Sequence, residues 1–466
     1  MGRRLERYPE YKDSGLPWLG LIPAHWEIQR NGRLFSQRNE NGFPDLPILE
    51  VSLKTGVRVR DLDNQKRKQM MADRAKYKRA VRGDIAYNMM RLWQGAVGVA
   101  PVDGLVSPAY VVAKPHSRTN SRYYAYLFRT AAYMNEVNKY SHGIVTDRNR
   151  LYWDEFKQMP SVFPPPDEQA AIANYLDHHG ALVSRYVRNK RRLIELLREQ
   201  NKAVIQQAVT RGLDSNVRTK SSGIDWLGDI PAHWEVRRLK YLVRNLNEQA
   251  AVIGDGELYV ALEHVESWTG RLQVAAGLPG TDSQVKRFRS GDILFGKLRP
   301  YLAKVIRMDR PGVCVGEFLV LRVIEERLLP EFLELKLRSP QIIDMVNSST
   351  FGAKMPRADW NFVGGLPIAF PPSPSEQHAI LNGACRSIAR LDGAIARIQR
   401  EIELIREYRT RLIADVVTGK LDVRSLAPAV TDVPQSLEDI VGEAAAAEDE
   451  EVLPEEAAEE VAIGNE

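Results

Sequence analysis

Apolar positions along this 466-residue chain follow two patterns, and each occurs twice. The longer-range one is helical. Between 375 and 420, Ile388, Leu391, Ile395, Ile398, Ile402, Ile405, Leu412 and Val416 are separated alternately by three and four residues, the seam of a coiled coil interrupted only at Arg409. Between 167 and 212, Val183, Val187, Ile194, Leu197, Val204 and Ala208 keep the same seam 208 positions earlier, with Lys190 and Asn201 at two of its places. Each segment opens after proline on an acidic first turn (Asp167 and Glu168; Ser375 and Glu376) and stops at Gly212 or Gly419. A helix of about 44 residues is roughly 66 Å long, and one such seam alone is not stable in water. Either the two seams bury each other as an antiparallel pair or each packs on a partner subunit; their close match favours the internal pair. Lys190, Asn201 and Arg409 would then cost stability and fix register. The second pattern is short β-type runs in Gly-rich inserts ahead of each helix, such as Ala109 to Val112 and Phe318 to Leu321.

The spacing of 208 extends over the whole chain. Residues 14–27 (SGLPWLGLIPAHWE) return as 222–235 (SGIDWLGDIPAHWE), identical at eleven of fourteen positions. Gly83-Asp84-Ile85 returns as Gly291-Asp292-Ile293, Glu168-Gln169 as Glu376-Gln377, and Leu213-Asp214 as Leu421-Asp422. A two-fold repeat of this length means two related domains rather than a solenoid. The expected fold class is α+β: two repeated globular α/β domains joined by two long antiparallel coiled-coil helices with pseudo-two-fold symmetry. The expected division is 1–166 (first domain), 167–212 (central helix), 213–374 (second domain), 375–420 (C-terminal helix) and 425–466 (acidic tail).

Net charge is +5, with 65 Lys and Arg against 60 Asp and Glu. After Arg424 there is no basic residue and there are 13 acidic ones, so the body carries 65 against 47, or +18. A body that basic favours a polyanionic partner. The tail has the composition of a disordered segment; folding on a partner and screening the basic surface in cis are the alternatives. Two cysteines without paired spacing, Cys314 and Cys385, argue against a disulfide framework or zinc cage and fit a reducing cytosol. No apolar run is long enough to span a bilayer, and the N-terminal residues lack the apolar core of a signal peptide.

Catalytic motifs fail on inspection. Gly291 to Lys297 matches seven positions of a phosphate-binding loop, but Leu298 stands where a Ser or Thr must hold Mg²⁺. The prolines at 164–166 lack the flanking residues of an adenine methyltransferase loop, and no glycine-rich cofactor motif accompanies them. Adjacent His178 and His179 point in different directions on a helix and cannot share a metal as an i, i+4 pair does. His25 and His233, in the repeated Pro-Ala-His-Trp-Glu, fit packing beside tryptophan better than catalysis. No catalytic set and no metal site can be nominated.

Basic clusters are more informative. The first insert carries Arg58, Arg60, Lys66, Arg67, Lys68, Arg74, Lys76, Lys78 and Arg79, then Asn88, Arg91 and Trp93, then Arg148, Asn149 and Arg150. The second carries Lys286, Arg287, Arg289, Lys297, Arg299, Tyr301 and Lys304, then Lys354 and Arg357. Arg and Asn make bidentate contacts to purine edges, and Lys and Arg neutralise phosphates. Arg91 and Arg299 match across the repeat and are the leading candidates for DNA contact.

The pattern YKDSG-x-x-WLG-x-IP-x-HWE, then GDILF-x-KLRPY, then PP and EQ opening a long helix, all given twice, resembles the specificity (S) subunit of type I restriction–modification systems. The resemblance covers about residues 8–424. It implies two target-recognition domains on paired helices that act as a ruler, each reading a few base pairs of a bipartite target with a fixed-length spacer. It also implies a non-catalytic chain without cofactors of its own, working in the prokaryotic cytoplasm. Its partners would be double-stranded DNA and two modification subunits carrying S-adenosylmethionine and methylating adenine, with restriction subunits that translocate with ATP and Mg²⁺. The halves depart from each other where the second reads Lys297-Leu298-Arg299-Pro300-Tyr301 and the first Met89-Met90-Arg91-Leu92-Trp93, so the implied target is asymmetric. A DNA-modifying enzyme in its own right, a protein-only scaffold and a modification-only system are the competing readings.

Overall fold

A computed structural model describes residues 5–53, 55–60, 74–142, 149–214, 216–250, 258–273, 285–350 and 355–426. Lys66, Arg67, Lys68, Arg148, Lys354 and the acidic tail lie outside the described residues. Two long helices span Pro166–Arg211 and Pro374–Val417. The chain forms two compact units whose boundaries fall inside these helices, at Arg191/Arg192 and Gln399/Arg400, rather than at their ends. Both cuts are 208 residues apart, so each unit holds one complete copy of the repeat. The second unit's copy is continuous; the first unit's is stitched from 1–191 and the stretch beginning at Arg400.

In the first unit a four-stranded antiparallel sheet contains β1 (Phe35–Arg38), β2 (Ile85–Asn88), β3 (Val97–Val99) and β4 (Tyr110–Pro115) in the order β1-β4-β2-β3. Helix Ser121–Phe128 begins where the Asn120 side chain accepts from the amides of Arg122 and Tyr123, and Thr130 caps the next helix in the same way. The core gathers Trp26, Tyr123, Tyr124, Phe128, Tyr133 and Phe156. Leu412, Val416, Val417 and Val423 complete it from the far end of the sequence. Glu6 bridges Asp422, and Tyr11 Oη donates to the Lys420 carbonyl, so the two stretches are sewn side by side.

The second unit repeats this topology. Strands β5 (Val243–Leu246), β6 (Ile293–Gly296), β7 (Val305–Arg307) and β8 (Phe318–Val323) form an antiparallel sheet in the order β5-β8-β6-β7. Its core packs Trp234, Phe332, Leu333 and Ile368 against Ile205, Ala208 and Val209 of the first long helix. Val204, matched to buried Leu412, is only half-buried, because a helix of 3.6 residues per turn drifts off a strict seven-residue seam. Val183, Val187, Ile194, Ile395, Ile398, Ile402 and Leu412 are buried; Leu197, Ile388, Leu391 and Ile405 are half-buried.

The polar interruptions of the seam become cross-links. Lys190 Nζ lies 2.8 Å from Glu401 in the first unit, where Tyr186 Oη also donates to Glu401. Asn201 Nδ2 donates to Asp392 at 2.9 Å in the second. Both helices therefore pair antiparallel within each unit. Both end on a left-handed glycine, and a Cβ on Gly419 would sit 2.3 Å from Pro23 Cδ. No helix of the described residues is long and apolar enough to cross a membrane.

Candidate nucleic-acid interface

The repeated landmarks are internal fastenings. Trp26 Nε1 donates to Glu168 at 3.0 Å, Tyr8 Oη donates to the same carboxylate, and His25 Nε2 lies 2.8 Å from it. Trp234 and His233 hold Glu376 in the same way. Gln169 accepts the Asn120 amide and donates to the Pro164 carbonyl; Gln377 accepts the Leu329 amide and donates to the Arg327 and Pro371 carbonyls. Asp84 pairs with Arg38 and Asp292 with Arg322, each also accepting the amide three residues earlier. The motif that resembles a phosphate loop thus belongs to a buried ion pair. His179 stacks against Tyr175, and burial together with Arg409 and His178 holds its pKa below the usual value. Among the described residues no cluster of three or more His, Cys, Asp or Glu side chains is placed to hold a metal.

The copies differ, among other places, at one corresponding edge of each sheet. In the second unit β6 runs into Lys297, Arg299 takes a left-handed φ of 51°, Pro300 starts a turn, and Ala303 is left-handed again at 47°. Neither residue adopts that conformation without strain. The loop is held to a second segment: Arg299 N donates to the Pro356 carbonyl at 2.8 Å and Ala358 N to the Lys297 carbonyl at 2.9 Å. Lys297, Arg299, Tyr301 and Arg357 thereby share one edge. Tyr301 is 45 % exposed, and Arg357 pairs with Glu317 at 2.9 Å.

In the first unit β2 ends at Asn88, whose Oδ1 accepts the Met90 amide, and Trp93 Nε1 donates to the Met90 carbonyl. Leu151 N donates to the Met89 carbonyl at 2.9 Å. Asn88, Arg91, Trp93, Asn149 and Arg150 therefore share the corresponding edge. Arg91 sits at ordinary φ of −129°, and Gly95 takes the place of Ala303. Both edges carry two arginines and an aromatic ring, but the first has Met89 where the second has Lys297.

Several other predicted contacts are engaged inside the fold. Lys78 Nζ donates to the carbonyls of Pro108 and Tyr110, Lys286 Nζ to that of Phe318, and Lys304 Nζ to that of Leu262; burial holds all three below the usual lysine pKa. Lys78 and Lys286 are repeat equivalents, so the pair braces the same turn twice. Arg79 is tied to Asp103 and Glu40 and lies over the Phe43 ring, and Arg58 pairs with Glu50 at 2.5 Å. Lys76, Arg287 and Arg289 are exposed, and Arg60 is half-buried. Sequence reasoning missed that Arg150 and Arg357 are equivalents, because their spacing is 207 rather than 208. It also missed Glu317 and the exposed Met355 beside Arg357.

No family model matches the chain. It is 23 % identical over 281 residues to the type I restriction enzyme EcoDI specificity subunit of Escherichia coli. That match covers 56 % of this chain and 62 % of the relative, so the chain spans less than two thirds of the relative's length. A chain solved in a study of complex assembly and conformational transition of the type I restriction–modification system superposes with a TM-score of 0.61 at 15 % identity, over 86 % of this chain and 99 % of that one. The HsdS subunit from Thermoanaerobacter tengcongensis gives a TM-score of 0.46 at 16 % identity, over 85 % and 96 % of the two chains. With its two copies of the HWE and EQ fastenings, the chain is similar in sequence to a specificity subunit of a type I restriction enzyme and shares the fold of a chain from a type I restriction–modification system.

Proposed function

We propose that this chain is the DNA-recognition subunit of a type I restriction–modification complex, reading an asymmetric, bipartite target with a fixed-length spacer and catalysing nothing itself. The observation that carries the reading is the pair of equivalent edges. Each presents two arginines and an aromatic ring on a scaffold fixed by the same fastenings, and the chemistry between those residues differs from copy to copy. Arginines at a loop edge supply bidentate contacts to guanine, and the rings pack against bases or sugars. The half-sites lie about one helical turn apart. Modification subunits bring S-adenosylmethionine and methylate adenine, and restriction subunits bring ATP and Mg²⁺.

The test is the methylome of a host expressing the chain with its neighbouring modification subunit. Methyladenine at a split, asymmetric motif is the expected result, and replacing residues 30–165 with those of a relative should change one half-site only. No new methylation from a soluble, associated pair of proteins would sink the reading.

A further inference from the structure

Three residues other than glycine take a left-handed backbone among the described residues: Trp268 at φ 67°, Arg299 at 51° and Ala303 at 47°. All three belong to the second unit, and they are connected. The Trp268 amide donates to the Ala303 carbonyl at 3.4 Å, the Ala303 amide to the Pro300 carbonyl at 2.8 Å, and the Arg299 amide to the Pro356 carbonyl. A side chain makes that conformation costly, so it persists only where the surroundings hold it. The first copy has Gly95 at the place of Ala303 and an ordinary φ at Arg91, so the equivalent turn there is free of this strain.

What holds the second edge starts on the long helices. Residues 265–272 form a hairpin: Val265 bridges Leu272, and the Glu266 amide donates to the Arg271 carbonyl at 3.0 Å. Its tip is clasped at three points within the second unit. Lys202 Nζ of the first long helix lies 4.0 Å from the centre of the Trp268 ring. Arg271 donates to Asp392 of the second long helix at 2.5 Å, and Asp392 also accepts from Asn201, so one carboxylate joins the hairpin to both helices. That carboxylate is 19 % exposed, so the pair is better shielded from solvent than an ordinary surface contact. Gly270 lies so close to the Arg338 guanidinium that a Cβ there would sit 1.8 Å from it, and Glu334 pins the guanidinium at 3.1 Å. The turn leading into the hairpin is tied to the edge a second time, because Lys304 Nζ donates to the Leu262 carbonyl at 2.6 Å.

We propose that Trp268, clasped by Lys202 and Arg271, is a positioning residue for the second half-site: it braces the strained turn 299–303 from the long helices and so fixes where Arg299 and Tyr301 meet DNA. The inference rests on the DNA-recognition reading. The face of the ring takes the Lys202 ammonium while the backbone amide of the same residue reaches Ala303. Without the brace, Arg299 and Ala303 gain by leaving the left-handed region, and the turn shifts towards other conformations.

The experiment joins two measurements on the full-length chain. Hydrogen exchange on peptides spanning 296–304, without DNA, reports the brace itself. Trp268→Ala should speed exchange there about tenfold, and Trp268→Phe should stay near the natural rate. Arg271→Gln should speed it about threefold. Peptides over 85–97 in the first unit should not change. Methylation of randomised targets, with the modification subunit present, reports the role. Trp268→Ala should relax the second half-site about tenfold and Trp268→Phe much less, with the first half-site read as before. The Arg271 side chain is 59 % exposed, so its variant reports even if Trp268→Ala unfolds the second unit. Exchange at 296–304 unchanged in both Trp268→Ala and Arg271→Gln overturns the proposal. So does faster exchange with the second half-site read as strictly as before. Equal loss at both half-sites, with Trp268→Phe as poor as Trp268→Ala, marks a merely structural tryptophan and overturns it too. A natural chain that methylates no split motif is a different failure: it removes the DNA-recognition reading, and the assigned role with it.

Discussion

Glu168 and Glu376 occupy the same place in the two copies, yet their surroundings are closed to different degrees. Glu168 collects Tyr8, Trp26 and His25 and its side chain is 5 % exposed; Glu376 collects Trp234 and His233 and is 32 % exposed. The position matching Tyr8 is Asn216. In the second unit the chain passes from the helix end into the WLG block without a break, so covalent continuity holds the segments together. In the first unit the same two segments come from residues far apart in sequence, and the Tyr8 hydroxyl supplies a tie that the backbone does not. Burial, followed by its hydrogen bond to Glu168, pushes the Tyr8 pKa above its usual value, so the tie stays protonated.

The largest expected effect breaks that contrast. Glu168→Ala orphans the buried Trp26 and Tyr8 donors and should destabilise the first unit by about 3 kcal/mol or more, against about 1 kcal/mol for Glu376→Ala in the second. Urea unfolding followed by tryptophan fluorescence checks it, and equal losses would mean that Tyr8 contributes no closure.

The next contrast lies at the helix ends. The Val417 carbonyl accepts from the Tyr123 hydroxyl, whereas the equivalent Val209 carbonyl accepts from Lys336 Nζ at 2.8 Å. Burial brings Lys336 down from 10.5 to about 7. Between those values the unfolded chain binds the extra proton, so stability rises with pH; below about 7 the full cost of burying the charge is present. Lys336→Met should therefore be most favourable relative to the natural chain near pH 6, and should lose about 2 kcal/mol of that relative stability by pH 9. A flat difference across that range would show the lysine to be neutral, or solvated, throughout.

The edges give the third contrast. On the proposed function, Arg91→Ala and Arg299→Ala should each cost about 1–3 kcal/mol of base discrimination. Each should relax a different half-site, as read by methylation of randomised targets. Smallest is the backbone exchange. Ala303→Gly should stabilise the second unit by about 1 kcal/mol through relief of its left-handed φ. Gly95→Ala should destabilise the first by a similar or larger amount, since φ is 93° and the new Cβ would lie 3.1 Å from Met134 Sδ. Thermal melts of the two variants should move in opposite directions.

The long helices, their ends and the two-fold repeat were legible in the sequence, because seam periodicity, terminal glycines and the spacing of 208 are local or countable signals. The boundary between compact units was not. It falls at mid-helix, where nothing changes in composition, and only the pairing of distant segments such as Glu6 with Asp422 creates it. Lys78, Lys286 and Lys304 looked like phosphate ligands because charge is visible in a sequence, whereas a carbonyl waiting for a buried ammonium is not. The equivalence of Arg150 and Arg357 was hidden by a single-residue change in spacing. The Glu-Gln and His-Trp repeats could be noticed from sequence but not explained, since their partners are about 50 to 140 residues away.

The stitched first unit also sets an order of events during synthesis. The ribosome delivers residues 192–399 as one uninterrupted stretch, so the second unit can close as soon as that stretch has emerged. The first unit, translated earlier, must wait for Leu412, Val416, Val417 and Val423 before its core is complete. At about 5–20 residues per second, translation of the intervening 208 residues leaves that apolar face uncovered for on the order of 10–40 seconds. The half made first is finished last, and in that interval the nascent chain needs chaperone cover most.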